Sequence, residues 1–133
     1  IVTATADQNN IADDTDVTVV FDDEMIDRTG DFASNTFTAS RTGVFQFNVC
    51  LNCNQISSNK HAVLKLKTSN RTYIRFIPGS DEKLSVTLSV VADMDSGDTA
   101  FVTLKSDEGV DQVDINATND TSVTMWFSGW FLG

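Results

Sequence analysis

The chain has 133 residues, 41% of them hydrophobic, which fits one domain spanning 1–133 with a core of its own and excludes disorder as the main state. Nineteen Asp and Glu against nine Lys and Arg give a net charge of −10; that field repels phosphate backbones and anionic headgroups, so nucleic acid and membrane surfaces are excluded as partner classes. No apolar run approaches the roughly 20 residues of a membrane helix, so no membrane insertion is expected.

Taken in chain order, the predicted elements are strands. Short candidates lie at Val2–Ala6 and Asn35–Ala39, with a longer one from Asp16 to Phe21 in which Val17, Val19 and Phe21 alternate with Thr18 and Val20. From Val44 to Leu51, Phe45, Phe47, Val49 and Leu51 share one face while Gln46, Asn48 and Cys50 take the other, a period of two. Ala62, Leu64 and Leu66 against Lys65 and Lys67, a short run at Arg71–Ile77, and Leu84, Val86, Leu88 and Val90 against Ser85, Thr87 and Ser89 continue the pattern. Ala100, Val102 and Leu104, a short run at Val110–Ile115, and a last strand from about Ser122 to Leu132 complete about ten strands. Turn signals such as Thr29-Gly30-Asp31, Pro78-Gly79-Ser80 and Asp95-Ser96-Gly97-Asp98 separate them. Many short strands without a helical period predict an all-β antiparallel sandwich. The chain opens on Ile1, which reads as a cleaved product or a piece of something longer.

Phe21, Asp27, Phe32, Phe37, Gly43, Phe45 and Phe47 carry a more specific signal, densest in Phe37-Thr38-Ala39-Ser40-Arg41-Thr42-Gly43-Val44-Phe45-Gln46-Phe47. Gly43 permits a turn conformation open to few other residues, and Phe45 and Phe47 point together into a core. With Gly97-Asp98 and the closing Phe127-Ser128-Gly129-Trp130-Phe131-Leu132, this pattern resembles the globular head of the C1q family, a jelly roll of the C1q/TNF superfamily, from about Val17 to Leu132. Ser40 stands where the family commonly has Pro, Phe45 where it has Tyr, and the Phe32–Phe37 segment is two residues short, so the chain reads as a remote member. The resemblance implies an antiparallel jelly-roll β-sandwich, the C-terminal head of a longer chain, and a homotrimer. In the last strand, Val123, Met125, Phe127 and Phe131 lie on one face and Trp126, Trp130 and Leu132 on the other. One face lines the core and the other meets neighbours or the facing sheet; the strand alone leaves open which.

Signals for catalysis are weak. His61 is the single histidine, and neither a nucleophile-elbow motif nor a second histidine accompanies it, so the chain reads as no enzyme. Cys50-Leu51-Asn52-Cys53 has C-x-x-C spacing, yet residues three apart in a strand face opposite sides; a disulfide would need a bend after Cys50, and two free thiols are the equal alternative. Some heads of the resembled family hold calcium in an Asn/Asp-rich loop before the last strand, which makes Asn119 and Asp120 candidate calcium ligands, with Asp93 and Asp95 a second pair.

The resemblance implies a trimeric recognition or adhesion head that binds a cell-surface glycan or protein target and is secreted or surface-exposed. A structural trimerisation cap is the alternative, as is a secreted complement-like or hormone-like binding protein. A single proline and an Asp/Thr-rich surface favour the tip of a phage or bacterial fibre. Lys60, Lys65, Lys67, Arg71 and Arg75 form the one basic concentration, on adjacent strands.

Overall fold

A computed structural model describes residues 1–117 and 122–133. Among them are twelve strands: β1 (Val2–Thr3), β2 (Val17–Thr18), β3 (Asp23–Glu24), β4 (Phe32–Ala33), β5 (Thr36–Thr38), β6 (Gly43–Asn54), β7 (His61–Thr68), β8 (Thr72–Pro78), β9 (Leu84–Met94), β10 (Thr99–Ser106), β11 (Asp114–Asn116) and β12 (Trp126–Phe131). The two strands beyond the ten expected, β3 and β4, are two residues long, too short to show a period in sequence. The third short run narrows to Asp114–Asn116, and the last strand begins at Trp126 rather than near Ser122.

The strands form two six-stranded antiparallel sheets. In the first, β9 pairs with β6 from Gly43↔Met94 to Cys53↔Leu84 and so fills one edge of β6. The other edge is shared end to end by β12, from Phe131↔Phe45 to Trp126↔Cys50, and β11, from Asn116↔Asn52 to Asp114↔Asn54; β1 and β3 follow beyond β12. The second sheet repeats the device. Here β7 fills one edge of β10 and carries β8 outside it, while β5 and β2 share the other edge. This is an antiparallel sandwich, as the alternation predicts, and a jelly roll, as the resemblance implies.

Inward rows meet between the layers. Phe45, Phe47, Val49, Leu51 and Cys53 of β6 face Ala62, Leu64 and Leu66 of β7 and Ala100, Val102 and Leu104 of β10, all buried. Phe47 is fully enclosed, with ring centroids of Phe37, Phe127 and Phe45 at 5.3, 5.9 and 6.2 Å. That geometry explains the Ser-Gly step of the last strand: a Cβ on Gly129 would stand 2.7 Å from the Phe47 ring. Gly43 is held at φ 150°, where glycine is favoured, and a Cβ there would lie 2.5 Å from the Phe131 ring.

Surface carboxylates tie loops to this frame. Asp16 bridges Lys65 and Lys67, each at 2.6 Å, and the lysine hydrogen bonds, Lys65 first, hold its carboxyl below the ordinary aspartate value. Asp22 accepts the Thr5 hydroxyl and backbone N–H, both at 2.7 Å, and is lowered in the same sense, the hydroxyl contributing most. A carboxyl whose folded pKa is depressed contributes stability above its unfolded value, about 3.9, and that contribution is lost as pH falls through the folded one. The melting temperature is therefore expected to be lower at pH 3 than at pH 7, and Asp16→Asn is expected to lower the pH 7 value and flatten the dependence. Parallel melts across that range check both.

Candidate functional site

Strand register assigns the last-strand side chains. Phe127, Gly129 and Phe131 oppose Val49, Phe47 and Phe45 and face the other layer; Trp126, Ser128 and Trp130 oppose Cys50, Asn48 and Gln46 and face outward. Met125 and Phe127 are buried, Trp126 is half-buried, and Val123, Trp130, Phe131 and Leu132 are exposed.

The outward side of the first sheet has an unusual composition. Across its three long strands the outward residues are Gln46, Asn48, Cys50 and Asn52 of β6, Ser85, Thr87, Ser89 and Val91 of β9, and the three of β12. None of these is charged, although the chain carries 28 charged residues as nine basic plus nineteen acidic; on these strands charge returns at Asp93. Five of the polar side chains bond to one another within the sheet. Gln46 Nε2 donates to Ser89 Oγ at 2.8 Å, Ser89 Oγ donates to Asn48 Oδ1 at 2.6 Å, and Ser85 Oγ donates to Asn52 Oδ1. The result is a charge-free face on which part of the side-chain hydrogen bonding is made within the sheet, bordered by the half-exposed Trp130 and Val91.

The inward side of the same sheet opens at one end into a cavity of about 490 Å³ between the layers, floored by Phe32, Phe37, Phe45, Phe127 and Phe131 and rimmed by the loops at 25–31 and 39–42. Phe131 is 41% exposed despite its inward register, because its outer edge borders this space. Burial pushes the Asp27 carboxyl up, but the N–H groups of Phe32, Asp31, Gly30 and Thr29 together hold it below the ordinary value. Those bonds fix the 27–32 turn that forms one wall.

The other sequence-predicted residues do not converge. His61 Nδ1 lies 3.5 Å from the Asp107 carboxylate on an exposed strand end, with its ring beside Phe76, and no hydroxyl among the described residues hydrogen-bonds to it. Cys50 and Cys53 are free and buried on opposite faces of β6, which runs regularly through both, so the bend a disulfide needs is absent. Burial raises both thiols, Cys53 to about 12, and their opposite faces keep the two sulfurs from acting as one pair. The Asp95 carboxylate accepts from Thr42 Oγ1 at 3.4 Å, and the Asp95 N–H donates to Asp98 Oδ2 at 2.9 Å, closing a turn; Asp93 points outward at the end of β9. Among the described residues no group of three or more His, Cys, Asp or Glu is placed to hold a metal, and Asn119 and Asp120 lie outside the described residues. The basic concentration does not form one patch. Lys65 and Lys67 are both spent on Asp16, and Arg75 opposes Leu64, on the opposite side of the sheet from them. The charge-free face and the cavity were missed from sequence; only the alternation of Gln46, Asn48, Cys50 and Asn52 signalled the first.

The two layers and their strand order define a β-sandwich domain of the jelly-roll class. The family model of the C1q domain matches residues 2–132, and the chain belongs to the C1q family. Its fold is similar to the globular domain of zebrafish complement 1qA protein, with a TM-score of 0.61 and 18% identity over 96% of this chain and 94% of that one; at that identity the likeness is one of fold. No curated protein sequence matches significantly. C1q domains are non-enzymatic recognition modules of complement-like proteins, typically trimeric and extracellular. No helix among the described residues is long and apolar enough to cross a membrane.

Proposed function

We propose that the domain is a homotrimeric recognition head, secreted or displayed at the end of a stalk or fibre, that binds a cell-surface glycan or protein. The charge-free outward face of β6, β9 and β12 carries this reading. Copies of a chain with net charge −10 repel one another, and association is least opposed where a face brings no charge to be desolvated and has several of its polar groups already paired. Such a face meets its own copies around a closed axis. The second sheet then points away from the axis with its loops, and three weak sites on one axis gain avidity on a surface of repeated epitopes.

Sedimentation at micromolar concentration is expected to give three times the 14.5 kDa chain mass; a monomer would overturn the assembly. Screening the assembled protein on glycan arrays and intact cells, with loop-exchanged variants as controls, tests recognition. A fibre that needs the domain for assembly but binds nothing through it would make the domain a structural cap.

A further inference from the structure

We propose that the cavity between the layers is a binding site for a small amphipathic carboxylate, one acid group on an apolar body. Its size lies within the range of small-molecule sites, and its floor is five phenylalanine rings from four strands. An apolar body suits that floor, since it replaces water against rings that have no polar atom to offer.

Charge selects the head group. Arg28 and Arg41 line the cavity from separate loops, and among the described residues neither has an ion pair or a hydrogen-bond acceptor for its guanidinium. Arg41 is held with Cζ 5.2 Å over the Phe131 ring, which fixes it at the mouth with its N–H groups unspent. The two acids of the lining are already engaged. Asp27 accepts three backbone N–H groups at 3.0–3.1 Å, and Asp31 Oδ2 accepts the Thr29 and Ser40 hydroxyls at 2.5 and 3.4 Å. The site therefore presents unspent donors of fixed positive charge and acceptors that are largely filled. A guanidinium binds a carboxylate through two parallel charge-assisted hydrogen bonds, whereas an uncharged hydroxyl accepts only a weaker neutral one and a cationic head is repelled by both arginines. Ser128 and Trp130 belong both to the cavity lining and to the face assigned to self-association, so the two share a border; the arginine variants test the cavity and sedimentation tests the assembly.

The test is calorimetric titration of the whole chain with decanoate, decanol and decyltrimethylammonium, each below its micelle concentration. Saturable binding of one decanoate per chain is expected, with decanol at least tenfold weaker and the cation weaker still. Arg28→Met and Arg41→Met should each weaken decanoate about tenfold while leaving decanol unchanged, and Arg41→Lys should retain part of the affinity. If Arg41→Met perturbs the fold through Phe131, Arg28→Met and Arg41→Lys decide the question alone. No saturable decanoate binding, equal affinity for decanol, or indifference to the arginine variants would each overturn the proposal. So would finding the cavity closed by a neighbouring copy, seen as decanoate binding only to a variant that remains monomeric.

Discussion

Phe47→Ala is expected to lower the unfolding free energy by about 3–5 kcal/mol, the range for deleting a fully enclosed aromatic. Phe47 contacts three rings from three strands and roofs Gly129, so removing it opens a void that strands cross-paired on both edges cannot close. Domains of this size have about 5–15 kcal/mol in total, so the variant is expected to lose a large fraction of its stability. Urea denaturation at one fixed protein concentration measures it, because any self-association contributes to apparent stability by mass action. Phe76→Ala is the control: Phe76 is 65% exposed, and its loss is expected to stay within about 0.5 kcal/mol. A comparable effect at the two positions would show that the Phe37–Phe45–Phe47–Phe127 cluster does not hold the layers together.

That cluster was legible in sequence because it is local. Phe45, Phe47, Val49 and Leu51 alternate within one strand, and a period of two fixes their common face whatever the strand pairs with. The long strands follow from the same rule, and the Gly43 and Gly129 positions follow from the family pattern. What failed to show depends on which strands become neighbours. β3 and β4 exist only through pairing with β1 and β5. β6 continues past Leu51 through Asn-Cys-Asn, a composition that suggests a bend, because β9 and β11 flank it there on both sides. The five basic residues between Lys60 and Arg75 read as a patch until Asp16, 49 residues before Lys65, is brought onto two of them. Arg75 was the avoidable error, since Tyr73, Arg75 and Ile77 alternate with Ile74 and Phe76 and its side of the sheet could have been read from that. The charge-free face needs the register of β9 against β6, and the cavity needs the spacing of two layers at one end; no run of residues encodes either.

The proposed assembly makes Thr87→Asp the decisive substitution. Thr87 is exposed on the single chain and faces outward opposite Cys50, midway along β9, the edge strand of the face without charge. On the isolated domain a carboxylate there stays in water and changes stability little, within the usual range for surface positions. In the trimer the same carboxylate is carried into the interface in three copies with no cation on any central strand to meet it. An uncompensated charge buried in this way costs several kcal/mol, and about 3 kcal/mol per copy corresponds to roughly a hundredfold loss of association for each. Thr87→Asp is therefore expected to sediment as a folded monomer at concentrations where the unmodified chain is trimeric. Thr87→Val, which adds apolar surface and no charge, is expected to remain a trimer. Strong salt would restore little, because screening acts on exposed charges and not on those removed from water. A Thr87→Asp protein that stays trimeric would place the contact elsewhere, and the exposed Ile74 and Phe76 of β8 would become the surface to test next, since they form the other apolar stretch on a long strand.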